Sequence, residues 1–278
     1  MTSSGFQTFV IGAEQPVGQY LARSLNAQGL MYKSIALESR DKLPVTPGGR
    51  PFFVIVPTLQ SESFAHAAYW LDRAREIDAC VVLISSLIVF EYQAGAVVTE
   101  DTCEFAENES AQALLKLEDH ARQTEQHLIL RIGQLFSLQG DDFASQLLTQ
   151  ARQQLQVDVD MQRLFDPTPA DDVADVILAI IRQLVCSDDL FGTYHFSGVE
   201  PVSAYAFAEV IMAQAGQFED LSELELKSQE GGMMPELWSV CSDNTLLFHT
   251  FGIKEKAWRQ SVGRLLKRYY RVDESTQS

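Results

Sequence analysis

Short runs of consecutive apolar residues alternate with stretches in which apolar positions recur every three or four residues. FQTFVIG (6–12) predicts a buried strand, and 17–29 an amphipathic helix stopped by Gly29. YKSIALE (32–38), PFFVIVP (51–57), CVVLISS (80–86) and HLILRIG (127–133) predict four more strands. A helix with Phe64, Ala67, Ala68, Leu71 and Ala74 on one face separates the third strand from the fourth. Another, over 109–125, carries Leu114, Leu115, Glu118 and Ala121 at helical spacing. Strand and helix repeated in this way predict an α/β fold built on a mostly parallel, doubly wound sheet.

The second half is less regular. A helix over 143–155 would bury Phe143, Leu147, Ala151 and Leu155. VDVDM and a proline-broken loop, LFDPTP (164–169), lead into a helix ending at Leu184, with Asp171 and Asp172 in its first turn, where acids suit the helix dipole. GTYHFSG (192–198) predicts a strand. Ser203 is placed to cap a helix over 204–215 that Gly216 stops, and a final helix carries Trp258, Val262, Leu265, Leu266 and Tyr269 on one stripe. The acidic stretch 217–236 reads as loop, and there is no internal repeat.

Composition narrows the function classes. Of 278 residues, 46% are hydrophobic and 21% charged, so a packed core is expected rather than disorder. The formal charge of −17, with no basic run to offset it, argues against a nucleic-acid partner. No run reaches the ~18 apolar residues of a membrane span, and the N-terminal stretch lacks the basic start of a signal peptide, so a cytoplasmic protein is expected. Cys80, Cys103, Cys186 and Cys241 are scattered without metal-ligand spacing, which predicts reduced thiols and no metal site.

The first strand runs into Gly12-Ala-Glu-Gln-Pro-Val-Gly18 and then a helix, the context in which a dinucleotide's pyrophosphate rests on helix N-terminal amides. Gly12, Gln15, Val17 and Gly18 are the candidate contacts. Glu38, twenty residues beyond Gly18, could bind a ribose 2′-hydroxyl, and Arg40 could meet a 2′-phosphate, so NAD and NADP both stay open. The turn departs from G-x-x-G-x-x-G at Gln15, whose side chain takes space the backbone uses to approach phosphate, and Pro16 removes one N–H. The alternative is a strand–helix turn that binds no nucleotide.

From end to end the chain resembles the dTDP-4-dehydrorhamnose reductase group of extended short-chain dehydrogenases/reductases. The resemblance is carried by VIGAEQPVGQYLARSL (10–25), LISSLIVFE (83–91), KLEDHA (116–121), LILRIGQLFS (128–137), FDPTPADDVADVILA (165–179), GTYHFSG (192–198) and FGIKEKAWRQSVGRLL (251–266). It implies a Rossmann-type domain over 1–158, completed by the helix and strand at about 170–198. It also implies a smaller C-terminal α/β substrate-type domain over 159–278, interleaved with the first, that holds a nucleotide-linked sugar.

The family reduces a sugar ketone with a hydride from NAD(P)H. A Tyr-x-x-x-Lys pair supplies the proton, and a Ser/Thr holds the carbonyl oxygen. The chemistry needs a phenol, whose pKa the lysine one turn on can lower. On this pattern Ser86 and Lys116 take the Ser/Thr and lysine positions, but the tyrosine position is Gln112, an amide unable to hand over a proton. The nearest other phenol is Tyr92. Ser86 has an alternative reading as a strand-end hydroxyl bonding its own backbone, and Lys116 as a solvated helix lysine.

Asp160, Arg163 and Thr168 flank the loop where the family contacts substrate, and only part of its Gln-x-Gly-x-Pro-Thr pattern is kept. DKLPVTPGGR (41–50) is too short for the helix and strand of a full crossover. His195 reads as a packed core residue. Together these departures predict a reductase-like protein that keeps NAD(P) or nucleotide-sugar binding with lost or weak catalysis. It would act as a binding or regulatory protein, as does the family's regulatory subunit of methionine adenosyltransferase, which binds a partner enzyme. A working oxidoreductase or epimerase and an assembly module with no small ligand are the alternatives; the sequence names no oligomeric state.

Overall fold

A computed structural model of the protein describes residues 7–41, 43, 50–187, 189–236 and 238–270. In chain order the first half holds β1 (Thr8–Ile11), α1 (Pro16–Ala27), β2 (Tyr32–Ile35), β3 (Phe52–Ile55), α2 (Ser61–Glu76), β4 (Cys80–Ser86), β5 (Val97–Val98), α3 (Glu109–Ala121) and β6 (His127–Ile132). The second half holds β7 (Gln134–Phe136), α4 (Phe143–Gln153), β8 (Gln156–Val159), β9 (Leu164–Phe165), β10 (Pro167–Pro169), α5 (Ala170–Leu184) and β11 (Gly192–Phe196). Then come β12 (Val202–Ser203), α6 (Ala204–Ala215), β13 (Glu225–Ser228), β14 (Cys241–Ser242), α7 (Thr245–Phe251) and α8 (Trp258–Tyr269).

Six strands form one parallel sheet in the order β11-β6-β4-β3-β1-β2. Side chains alternate across a strand, so each central strand feeds two cores. Phe9, Ile11, Phe53, Ile55, Val81, Leu83 and Ile129 pack with Phe64, Trp70 and Leu71 of α2 and Leu114 and Leu117 of α3. Val10, Val54, Val82, Leu128 and Leu130 face the opposite side, against Leu21 and Leu25 of α1 and Ile177 and Ile181 of α5. That is why the strands read as unbroken apolar runs. β2 and β3 pair with opposite sides of β1. The link between them carries no further helix or strand among the described residues, and most of DKLPVTPGGR lies outside those residues.

Three expectations are corrected. LFDPTP is two short strands rather than a loop: β9 pairs antiparallel with β12, and β10 pairs parallel with β7. Proline is tolerated there because β10 has a ladder on one side only, so its missing donors are not called for. The acidic stretch 217–236 contains β13, which pairs parallel with β8. α4 ends at Gln153, which leaves Leu155 69% exposed rather than buried on the helix face. Ser203 caps α6 as expected, its hydroxyl accepting from Ala206 N–H at 3.2 Å.

Candidate functional site

Gly12 follows β1 in the left-handed region at φ +83°, and a Cβ built there would stand 2.2 Å from the Val56 carbonyl oxygen. A Cβ on Gly18 would stand 2.3 Å from the Gly12 carbonyl oxygen. Both glycines are therefore required by the close crossing of β1, β3 and α1, whatever the turn binds. Gln15 occupies the N-cap of α1 at φ −76°, ψ 152°, a conformation any residue adopts, so its replacement of glycine costs no backbone strain. No side chain caps α1 and no acid stands in its first turn. The amides of Val17 and Gly18 and the positive end of the helix dipole thus remain available to an anion, and Pro16 at the first helical position fits the same geometry.

Glu14, which sequence reasoning passed over, ties this turn to the end of β2: its Oε1 accepts the Leu37 N–H at 3.2 Å. Glu38 lies just past β2, in a turn and exposed. Arg40 Nη1 donates to the carbonyls of Glu38 (3.0 Å) and Ser39 (2.9 Å), and its guanidinium lies 4.1 Å from the Tyr69 ring centroid.

Ser86 closes β4 and is 8% exposed; its hydroxyl accepts from Ile88 N–H at 3.3 Å, capping the short 3₁₀ turn Leu87–Val89. α3 packs against β4 and that turn, with Leu114, Leu117 and Glu118 inward, while Gln112 and Lys116 stand one turn apart on its exposed side. Gln112 Nε2 donates to the Ala106 carbonyl at 2.7 Å. Tyr92 is half-buried, and Arg163 from the segment before β9 places its guanidinium 5.2 Å from the Tyr92 ring centroid.

Thr168 is corrected as a substrate contact. It is fully buried, donates to the Asp166 carbonyl at 3.0 Å and accepts from Gly198 N–H at 3.3 Å, so its hydroxyl is spent inside the protein. Asp160 is likewise buried and internal, its carboxylate accepting from the N–H groups of Gln162 and Gly231.

The remaining polar candidates are interior or structural. His195 is fully buried against Phe90, and burial followed by the nearby Arg131 charge lowers its pKa to about 3. Asp171 and Asp172 do more than suit the helix dipole. Asp171 accepts from Arg264 Nε at 2.6 Å, and Asp172 from Lys256 at 2.9 Å and Ser261 at 2.7 Å, which ties α5 to α8. Sequence reasoning also missed Asp166, buried beside a cavity of about 680 Å³ that Gly198, Ser242 and Asn244 help to line. Burial raises its pKa, and burial together with that carboxylate pushes the Cys241 thiol up to about 12. Among the described residues no group of three His, Cys, Asp or Glu could hold a metal, and no helix is long and apolar enough to cross a membrane.

Residues 63–271 match the family described as RmlD substrate binding domain. A dTDP-4-dehydrorhamnose reductase of Sinorhizobium fredii is 28% identical over 148 residues, covering 50% of this chain and 49% of that protein, so the chain spans about half the length of that relative. Among solved structures, the fold is similar to a dTDP-4-dehydrorhamnose reductase from Clostridium acetobutylicum (TM-score 0.77, 17% identity, 95% of this chain and 99% of that one). It is also similar to a dTDP-4-dehydrorhamnose reductase from Bacillus anthracis in complex with NADP (TM-score 0.74, 16% identity, 96% and 100%).

Proposed function

The chain belongs to the RmlD substrate binding domain family, and from that premise we propose a reductase-like protein that holds NAD(P) and a nucleotide-linked sugar while turning them over weakly or not at all. The uncapped first turn of α1 supports the cofactor part, with the amides of Val17 and Gly18 as its pyrophosphate contacts and Gly12 and Gly18 permitting the tight turn. When bound, the nicotinamide supplies or accepts a hydride. In this reading Ser86 holds the sugar's carbonyl oxygen, Lys116 contributes positive charge beside it, and Arg163 faces the sugar nucleotide.

One observation carries the loss of turnover. Where the family's proton donor stands, this chain has Gln112, and its amide is tied to the Ala106 carbonyl. An amide has no proton to give at ordinary pH, and losing a general acid costs about 10²–10⁴ in rate. The site then serves recognition, with the bound nucleotide as a signal that a protein partner reads. NADH and NADPH oxidation should be followed with a 4-keto nucleotide sugar. The native protein is expected to stay at background, and Gln112→Tyr to gain about 10²-fold or more. Steady oxidation by the native protein that Lys116→Ala abolishes would overturn the proposal.

A second reading, an active oxidoreductase or epimerase, is favoured by Arg163, whose guanidinium lies 5.2 Å from the ring of Tyr92, the phenol nearest Ser86 along the chain. It requires Tyr92→Phe to abolish a measurable native activity. A third, a module without a small ligand, requires that no dinucleotide raise Tm, whereas a ligand at 100 times its Kd adds about 2.7 kcal/mol.

A further inference from the structure

Glu14 is held at two points. Its carbonyl accepts from Gln19 Nε2 at 2.8 Å, and its carboxylate reaches 23 residues along the chain to the Leu37 N–H. The acid is thereby fixed across the gap between the glycine turn and the end of β2, with Glu38 the next residue after Leu37. In a strand–turn–helix unit this gap is where a dinucleotide's adenosine ribose lies, since the pyrophosphate sits on α1 and the ribose reaches toward the second strand. The Glu14 carboxylate therefore stands at that place, and Glu38 follows one residue beyond its anchor.

A cation could offset them, and Arg40 is the one on the described part of this segment. It is turned away from the role, because Nη1 donates to two carbonyls of its own chain and the guanidinium lies over Tyr69. α1 adds no acid in its first turn, so the field over the pyrophosphate is set by amides, while the field over the ribose is set by Glu14 and Glu38. A ribose hydroxyl can donate a hydrogen bond to a carboxylate. A 2′-phosphate brings close to two negative charges and has nothing to donate.

We infer that Glu14, together with Glu38, selects against the 2′-phosphate, so that the site takes NAD(H) in preference to NADP(H). The inference rests on the reading that a dinucleotide binds this turn. It makes Glu14 a specificity residue, with the expectation that selectivity is electrostatic and weakens as salt screens it.

The test is binding, independent of turnover. Dissociation constants for NADH and NADPH are measured by fluorescence at low and high salt for the native protein, Glu14→Gln, Glu38→Gln and the double variant. Circular dichroism and Tm establish that each is folded. Glu14→Gln keeps an oxygen able to accept from Leu37 N–H, so the turn is expected to persist. The native protein should prefer NADH by about tenfold or more, the preference should shrink in high salt, and the double variant should bring the two constants within about threefold. Equal affinities in the native protein, or a preference that neither substitution nor salt moves, would overturn the assignment while leaving dinucleotide binding intact. Failure of both nucleotides to bind any folded variant would overturn the cofactor reading itself, and this assignment with it.

Discussion

Gly12 and His195 show how single residues set conditions on this fold. Gly12→Ala would force a side chain into the left-handed region and against the Val56 carbonyl, and is expected to cost about 3 kcal/mol in urea unfolding. That cost belongs to the close approach of the chain after β1 to the end of β3, so it should appear whether or not nucleotide is present. His195 is neutral in the folded protein, with its pKa at about 3 against an ordinary value of 6.5. The unfolded chain therefore takes up a proton first as pH falls. Stability held above pH 6.5 is lost progressively below it, at up to about 1.4 kcal/mol per pH unit from this residue, until the pH nears 3. Asp166 and Glu100 have raised values and act in the opposite sense, so the check is comparative. Between pH 7 and pH 5 the Tm of a folded His195→Asn variant should fall less than that of the native protein.

Between elements, the buried Glu118–Arg131 pair joins α3 to β6. Arg131 donates to both carboxylate oxygens, at 2.9 and 2.7 Å, and Ser85 of β4 adds a third bond at 2.6 Å. Arg131→Met would leave the buried carboxylate with only Ser85 and the partly exposed Arg122, 3.0 Å from Oε2, as partners, and a loss of about 3 kcal/mol is expected by chemical unfolding; Glu118→Leu combined with Arg131→Met should recover much of it. Each partner stood in the sequence as a break in an apolar pattern, Glu118 on the inner stripe of a helix and Arg131 inside HLILRIG. Periodicity placed one in a strand and the other on a helix stripe but carried no information about which residue meets which. The same limit applies to β10. Pro167 and Pro169 argue against a strand unless it is known that only one side of it is paired, and that knowledge comes from β7. Asp171 and Asp172 were legible as helix-start acids, whereas their partners Lys256 and Arg264 lie more than eighty residues away.

For the whole molecule, the six-stranded sheet was legible because helices separate its successive strands everywhere but between β2 and β3 among the described residues, and apolar periodicity reports that alternation directly. The candidate site was legible in part. The glycine turn could be found by spacing and Gln112 only through the family resemblance, but Glu14 acquires its role only when the fold brings Leu37 beside it. The sheet is closed late in the chain: β11 pairs with β6, and α5 covers α1. Residues 1–158 alone would expose the β6 edge and the apolar faces of α1, so that fragment is expected to lack a cooperative thermal transition in calorimetry, in contrast to the full chain. At the opposite margin β2 is four residues long and bonded on one flank to β1, so among the described residues no strand pairs with its outer flank, a row of amides and carbonyls that another chain could meet. Lys33, midway along it, would carry its charge into any such strand-to-strand adhesion, which makes it a gatekeeper against fibrous self-templating. Lys33→Val is expected to leave Tm nearly unchanged while light scattering on prolonged incubation rises.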